Sequence, residues 1–191
     1  MTLLVLTAPS GAGKTTIARR LMAEVPGLQF SVSATTRAPR PNERDGVDYV
    51  FLSEDDFRQR LIDGDFLEHE EVYPGRFYGT LRQAVEETAR ADDVRAVVLD
   101  VDVKGALNVK QVYGDDVLTL FIAPPDLDAL ADRLATRGTE TEDQVQTRLD
   151  RAQMEMSHAA AFDAVVVNDD LDAAVADTVD RVRAFLDARG A

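Results

Sequence analysis

Cysteine is absent from this chain of 191 residues, which excludes a disulfide framework and any thiolate metal site. Histidine is scarce: His69 and His158 stand far apart, so a histidine-built zinc centre is not expected. Lysine is nearly missing too, with Lys14, Lys104 and Lys110 set among arginines. No long apolar run and no charged-then-apolar leader segment occurs, so the expectation is a cytoplasmic protein without membrane insertion. Positive charge as a whole is the scarcer sign, 21 basic residues against 35 acidic ones, for a formal charge of −14. Duplex binding rests on counterion release by a basic surface, so a general nucleic-acid partner is not expected. A small anionic substrate remains compatible where arginines concentrate locally. The acidic, lysine-poor balance fits a salt-rich cytoplasm, where screening tames self-repulsion, or simply genomic base composition.

What the chain does contain, at its start, is a buried-strand pattern running into small residues and then a helix. Leu3-Leu4-Val5-Leu6 precedes Thr7-Ala8-Pro9-Ser10-Gly11-Ala12-Gly13-Lys14-Thr15-Thr16, after which Ile17, Leu21 and Val25 recur at helical spacing up to Pro26-Gly27. The loop resembles a P-loop, in which backbone N–H groups turn toward phosphate oxygens, Lys14 supplies a point charge and Thr15 a hydroxyl ligand for magnesium. A bare Gly-Lys-Ser/Thr tripeptide arises by chance in roughly one such chain in ten. The strict pattern also wants glycine where this chain has Ala8. Context carries the reading, because a strand precedes the loop and a helix follows it; the plain alternative is a glycine-rich turn.

Strand and helix patterns then alternate. Phe30-Ser31-Val32-Ser33 reads as a short strand, followed by a polar segment, Thr35 to Gly46, with two prolines and three arginines, a density of charge that is often functional. Tyr49-Val50-Phe51 reads as a strand, Ser53 with Asp56 as the start of a helix bearing Phe57, Leu61 and Ile62, and Gly64 as its stop. Phe66-Leu67-Glu68 is a further short strand. Thr80 and Gln83 have capping-box spacing before a helix from Leu81 to about Ala91. Ala96 to Asp102 is apolar and then abruptly acidic, like a buried parallel strand delivering carboxylates at its C-terminal end. Val117 to Ala123 and Ala164 to Val167 are core strands. Helices are expected from Asp126, from Glu142 to about Ser157, and from Leu171 to Ala188. This alternation predicts an α/β fold with a parallel sheet covered by helices on both faces.

Several stretches taken in order resemble the guanylate kinase family over essentially the whole chain: Ser10-Gly11-Ala12-Gly13-Lys14, Ser31 to Arg40, Asp48-Tyr49-Val50-Phe51, Tyr78-Gly79-Thr80, Leu99-Asp100-Val101-Asp102, Arg137 to Thr141 and Val167-Asn168-Asp169-Asp170-Leu171. An Ala-Pro-Ser-Gly opening is familiar in that family. The resemblance implies a P-loop NTPase fold in a single domain, with a core at about 1–32, 81–124 and 156–191, a GMP-binding lobe inserted at about 33–80, and a lid at about 125–155. It implies transfer of the γ-phosphoryl group of ATP to GMP, giving ADP and GDP, with Mg²⁺ as cofactor. ATP and GMP would be the partners of a monomer or small homo-oligomer.

By the same resemblance Ala8, Pro9, Ser10, Gly11, Ala12, Gly13, Lys14, Thr15 and Thr16 bind ATP, with Asn168 near the adenine ring. Ser33, Arg37, Arg40, Glu43, Tyr49, Glu68, Tyr78, Thr80 and Asp102 bind GMP. Lys14, Arg133, Arg137 and Arg148 act on the transferring phosphoryl group, and Thr15 and Asp100 hold Mg²⁺, partly through water. On the residues alone, Arg37 and Arg40 flank Pro39 and could share one phosphate through bidentate forks; a solvated loop ion-paired to Glu43 and Asp45 has equal weight. Asp100 could instead cap the next helix, Thr80 could be a helix cap, and Arg137 suits a helix end. Two departures from the family pattern fall in Glu68-His69-Glu70 and in the longer Tyr73-Pro74-Gly75-Arg76. Two other functions compete: a non-catalytic guanylate-kinase-like module that binds phosphopeptides, and a P-loop kinase for ribose 1,5-bisphosphate. Lys14, Thr15 and the lid arginines disfavour the first; Ser33, Glu68 and Thr80 disfavour the second.

Overall fold

The computed structural model describes residues 1–136 and 142–190. Contacts divide the chain into two compact units, Met1–Val5 with Gly27–Val117, and Leu6–Pro26 with Leu118–Ala191. The described residues form nine strands and seven α-helices, with the strands Leu28–Phe30, Ala34–Thr35 and Val50–Phe51, the strands Phe66–Tyr73 and Arg76–Leu81, and the helices Leu127–Thr136 and Glu142–Ser157 consecutive along the chain. The five-stranded sheet has the strand order β2-β7-β1-β8-β9 and consists of β1 (Leu3–Thr7), β2 (Leu28–Phe30), β7 (Ala96–Asp100), β8 (Val117–Ala123) and β9 (Ala164–Val167). Its pairs β2·β7 and β8·β9 are parallel, with Leu28 opposite Ala96 and Ala123 opposite Val167. β1 is buried along its whole length and β7 along all but Asp100, which is why both read as unbroken apolar runs. β9 differs: Val165 and Val167 are exposed, as suits an edge strand.

The first unit holds a second sheet that the periodicity does not announce. Its order is β4-β3-β6-β5, from β3 (Ala34–Thr35), β4 (Val50–Phe51), β5 (Phe66–Tyr73) and β6 (Arg76–Leu81). β5 and β6 form an antiparallel hairpin in which Glu68 faces Thr80 and Tyr73 faces Arg76. Pro74 fixes the first corner of the turn, and Gly75, at φ 72°, takes the left-handed second corner. Helix α2 (Glu54–Asp63) packs Phe57 against this sheet, with ring centroids 4.3 Å from Phe66 and 5.3 Å from Phe77. With Ala34 and Leu81 these rings make a separate small core, and burying each phenylalanine contributes about 1.5–3 kcal/mol.

Ser53 caps α2 as its sequence indicates, accepting from the Asp56 N–H at 3.0 Å, whereas Ile62 is on the exposed face. Thr80 does not cap the next helix. It is a buried residue of β6; α3 (Arg82–Ala89) starts after Leu81 with no side-chain cap. The hairpin wins because its cross-strand partner, Glu68, takes the hydroxyl. The cap of α4 (Val103–Tyr113) is Asp102, whose Oδ1 accepts from the Gly105 N–H at 2.7 Å.

In the second unit, α1 (Lys14–Glu24) follows the loop directly and buries Ile17, Ala18 and Leu21. Its neighbour α7 (Leu171–Asp187) is capped by Asp170 and tied back by Arg20 to Asp172 and by Arg183 to the Glu24 carbonyl. α5 (Leu127–Thr136) and α6 (Glu142–Ser157) pack through Leu130, Leu134 and Ala152. No helix among the described residues is long and apolar enough to cross a membrane.

Candidate active site

Two groups of candidate functional residues assemble, one in each unit. In the second unit, Gly11 and Gly13 adopt φ near +96° and +99°, and the Ala12 N–H donates to the Pro9 carbonyl at 3.0 Å, so the chain curls before α1 begins. Helix α1 starts with neither a side-chain cap nor an acid in its first turn. A helix start of that kind is the electrostatic setting for an anion. Lys14 is the first residue of the helix, and Thr15 and Thr16 follow it exposed.

Asn168, just beyond β9, is 5% exposed, and its Nδ2 donates to the Ala12 carbonyl at 2.7 Å. A Cβ on residue 13 would lie 2.3 Å from that nitrogen, so Gly13 is required by space as well as by φ. The Arg133 guanidinium, on α5, donates to the Asn168 carbonyl at 2.8 Å. Arg148, on α6, makes a long 3.4 Å contact to the Ser10 hydroxyl. Arg137 lies outside the described residues.

The first unit brings together Glu68, Thr80 and Asp102. Glu68 is 7% exposed, and its Oε1 accepts the Thr80 hydroxyl at 2.5 Å. Burial pushes its carboxyl up to about 7; the Thr80 hydrogen bond opposes that, and the negative charge of Asp102 adds to it. Gly105, on the first turn of α4, lies against this carboxylate: a Cβ there would sit 2.7 Å from Glu68 Oε2 and 3.0 Å from Asp102 Oδ1. The sequence reading missed Gly105; its only signal is the three-residue spacing from the Asp102 cap. His69 alternates to the exposed side of β5, with its ring 6.4 Å from Phe66. It fills no core space.

A second cluster surrounds Arg37. Its Nη1 and Nη2 donate to the two oxygens of Glu43 at 2.8 and 2.9 Å, and its Nε donates to the Tyr78 hydroxyl at 3.2 Å. Its guanidinium stands 5.2 Å from the Tyr49 ring centroid and 5.8 Å from that of Phe51. The bidentate pairing raises the Arg37 pKa further and holds the Glu43 carboxyl down at about 2. Glu43 also accepts from the Arg40 N–H at 2.8 Å, which closes the loop around Pro39. The ion pair foreseen between Arg37 and Glu43 therefore exists, but as a mostly covered pair, 13% and 16% exposed, rather than a solvated one. Burial raises the Tyr49 hydroxyl pKa. Ser33 is half-buried beside β3 and accepts the Val50 N–H through its carbonyl, while Asp100 is exposed at the end of β7. Among the described residues no group of three or more His, Cys, Asp or Glu is gathered to hold a metal.

Comparison with known proteins shows the family. The family profile for guanylate kinase matches residues 1–185. The chain is 62% identical over 184 residues to the guanylate kinase of Salinibacter ruber, covering 96% of each chain. It is 47% identical to the guanylate kinase of Chlorobaculum tepidum, over 96% of this chain and 93% of that one. The crystal structure of guanylate kinase from Anaplasma phagocytophilum superposes with a TM-score of 0.72 at 32% identity, covering 98% of this chain and 85% of that one.

Proposed function

The chain belongs to the guanylate kinase family and is a nucleoside monophosphate kinase; from that premise we propose that it moves the γ-phosphoryl group of ATP onto GMP through the two groups of residues just described. The observation that supports the acceptor is the buried Glu68 carboxylate oriented by Thr80. A carboxylate so held accepts from the guanine N1–H and 2-amino group together, a donor pair that adenine lacks. Leaving such a group unpaired rejects the wrong base by about 10⁴-fold or more. Ser33 meets the guanine O6, and Asp102 completes the base-reading set. Arg37, Arg40, Tyr49 and Tyr78 take the GMP phosphate, with Glu43 keeping the Arg37 fork in one orientation.

On the donor side, the residues from Ala8 to Thr16 hold the phosphates of ATP. Lys14, Arg133, Arg137 and Arg148 neutralise the transferring group. No general base is needed, because the GMP phosphate is already an anionic nucleophile. Alignment and charge neutralisation supply the catalysis, and removing one such arginine costs on the order of 10³-fold. The segment from about 33 to 80 serves as the acceptor lobe and that from about 125 to 155 as a lid that limits hydrolysis. Thr15, an exposed hydroxyl at a helix start in the second unit, and Asp100, an exposed carboxylate at a strand end in the first, are each oxygen donors of the hard type that Mg²⁺ takes. A magnesium ion held by such donors would neutralise charge on the substrate phosphates. A cytoplasmic setting, with ATP and GMP as the substrates, is consistent with all of this.

The test is a coupled ADP-release assay offering GMP, dGMP, AMP, UMP and ribose 1,5-bisphosphate. The expected outcome is turnover with GMP that Lys14→Ala abolishes. Turnover with AMP in place of GMP overturns the reading.

A further inference from the structure

We infer that Asn168 is a positioning residue for the phosphate loop, fixing Ala12-Gly13 in its phosphate-receiving curl and seating Arg133 beside it. Three of its polar groups are already committed within its own unit. Its main-chain N–H donates to the Ala123 carbonyl at the end of β8, 2.8 Å away. Its carbonyl accepts from Arg133 Nη2 at 2.8 Å, and its side-chain amide donates to the Ala12 carbonyl at 2.7 Å. A carbonyl oxygen only accepts, so the amide nitrogen must face Ala12, and that bond fixes the orientation of the side chain against the loop.

The commitment explains a feature of the loop that phosphate binding alone does not. Gly13 is pressed to 2.3 Å, measured from the Cβ it lacks, by the nitrogen of Asn168. The side chain thus fills the space behind the loop at the residue that precedes Lys14. Gly11 and Gly13 take φ near +96° and +99° without strain but are flexible for the same reason, and Asn168 supplies a buried, directional hold on them. The same residue carries Arg133 on its backbone, so one rigid point at the end of β9 sets both the loop and a guanidinium of α5.

This inference rests on the ATP-dependent transfer proposed above, and its test has a readout that needs no turnover. Asn168→Asp keeps the shape but turns a carboxylate oxygen toward the Ala12 carbonyl, and Asn168→Ala removes the bond without repulsion. Kinetics in the full-length chain compare ATP with ITP, whose base carries a carbonyl where ATP carries an amino group. Calorimetry measures binding of inorganic tripolyphosphate. Both variants are expected to weaken tripolyphosphate binding and raise the KM for ATP by about tenfold or more, since small misplacements of a positioned group cost up to 10²-fold. The ATP-to-ITP ratio of kcat/KM and the KM for GMP stay at the wild-type values. A changed ATP-to-ITP ratio with intact tripolyphosphate binding makes Asn168 a base reader and overturns the inference. Unchanged values throughout overturn it as well. A wild-type chain that binds tripolyphosphate yet makes no ADP with GMP refutes the transfer reading and leaves this one standing on the calorimetry.

Discussion

Thr80 and Glu68 are register partners across the antiparallel strands β5 and β6, and the threonine hydroxyl donates to the glutamate at 2.5 Å in a buried site. A lone glutamate on a strand is ordinarily solvated. Here the pairing selects one rotamer for a carboxylate that burial is trying to neutralise, which is what suits the group to the base-reading role proposed for it. The hydrogen bond favours the charged form, and desolvation, the larger influence, favours the neutral one.

That balance gives a stability prediction with a definite sign. The folded-state pKa of Glu68 is raised from 4.5 to about 7, so between those values the native state binds more protons than the unfolded chain. Its contribution is therefore fully present below about 4.5 and falls as pH rises to about 7, then stays level. Glu68→Gln, whose amide oxygen still accepts from Thr80, removes this slope. Urea unfolding of wild type and variant across pH 4 to 8 is expected to show the variant gaining on the order of 2 kcal/mol relative to wild type by neutral pH. A difference independent of pH disproves it.

Gly105 is predicted to guard the same carboxylate. Ala is the better helix former by about 0.5–1 kcal/mol, so Gly105→Ala ought to stabilise α4 if nothing opposed it. A Cβ 2.7 Å from Glu68 Oε2 opposes it, because that oxygen belongs to a group anchored on Thr80 and cannot swing away cheaply. The expected result is a KM for GMP raised about tenfold or more with the KM for ATP unchanged. The shorter acid in Glu68→Asp makes room, so the double variant should lose less than the two single losses together. Strict additivity in that cycle contradicts the steric account.

How much of this the sequence discloses depends on whether the cause is local. β8 and β9 have the predicted bounds, and α1, α6 and α7 match to within a residue or so, because apolar periodicity and caps such as Asp170 are written along the chain. The hairpin β5·β6 is not written that way. Beyond Glu68 it runs through His69, Glu70 and Glu71, where charge hides the alternation, and Thr80 with Gln83 imitates a capping box. Only pairing with a strand twelve residues away reveals that Thr80 serves Glu68. Gly105, and the hold of Asn168 on the loop, are illegible for the same reason: each works through an atom distant in sequence, Glu68 Oε2 for one and the Ala12 carbonyl for the other.

Glu43 is predicted to act on GMP without touching it. Its two oxygens take both arms of Arg37 and also the Arg40 N–H, so it sets the direction of the guanidinium proposed to meet the GMP phosphate. Glu43→Gln puts an amide against donors and loosens the fork. The KM for GMP should rise about tenfold while the KM for ATP holds. The folded carboxyl titrates near 2 against 4.5 when unfolded. The stability it contributes is present above about 4.5 and lost as pH falls through about 2, and the variant lacks that loss. An equal rise in both KM values refutes the assignment.

Salt is expected to stabilise this chain, and distance decides the sign. Arg58–Glu54, Arg90–Glu86 and Arg181–Asp177 are exposed pairs at 2.7, 3.1 and 2.8 Å on single helices. Each is a weak, solvent-screened helical pair. The screening length falls from about 10 Å at 0.1 M salt to about 3 Å at 1 M. Pairs already near 3 Å keep part of their attraction at that screening, whereas repulsion within a surface of net charge −14 acts over longer distances and is largely removed. The melting temperature is therefore predicted to climb between 0.1 and about 2 M KCl, with NaCl giving the same curve because the cause is screening rather than a bound ion. A flat response removes the case for a salt-rich cytoplasm, and a falling one shows that the helical pairs outweigh the net charge.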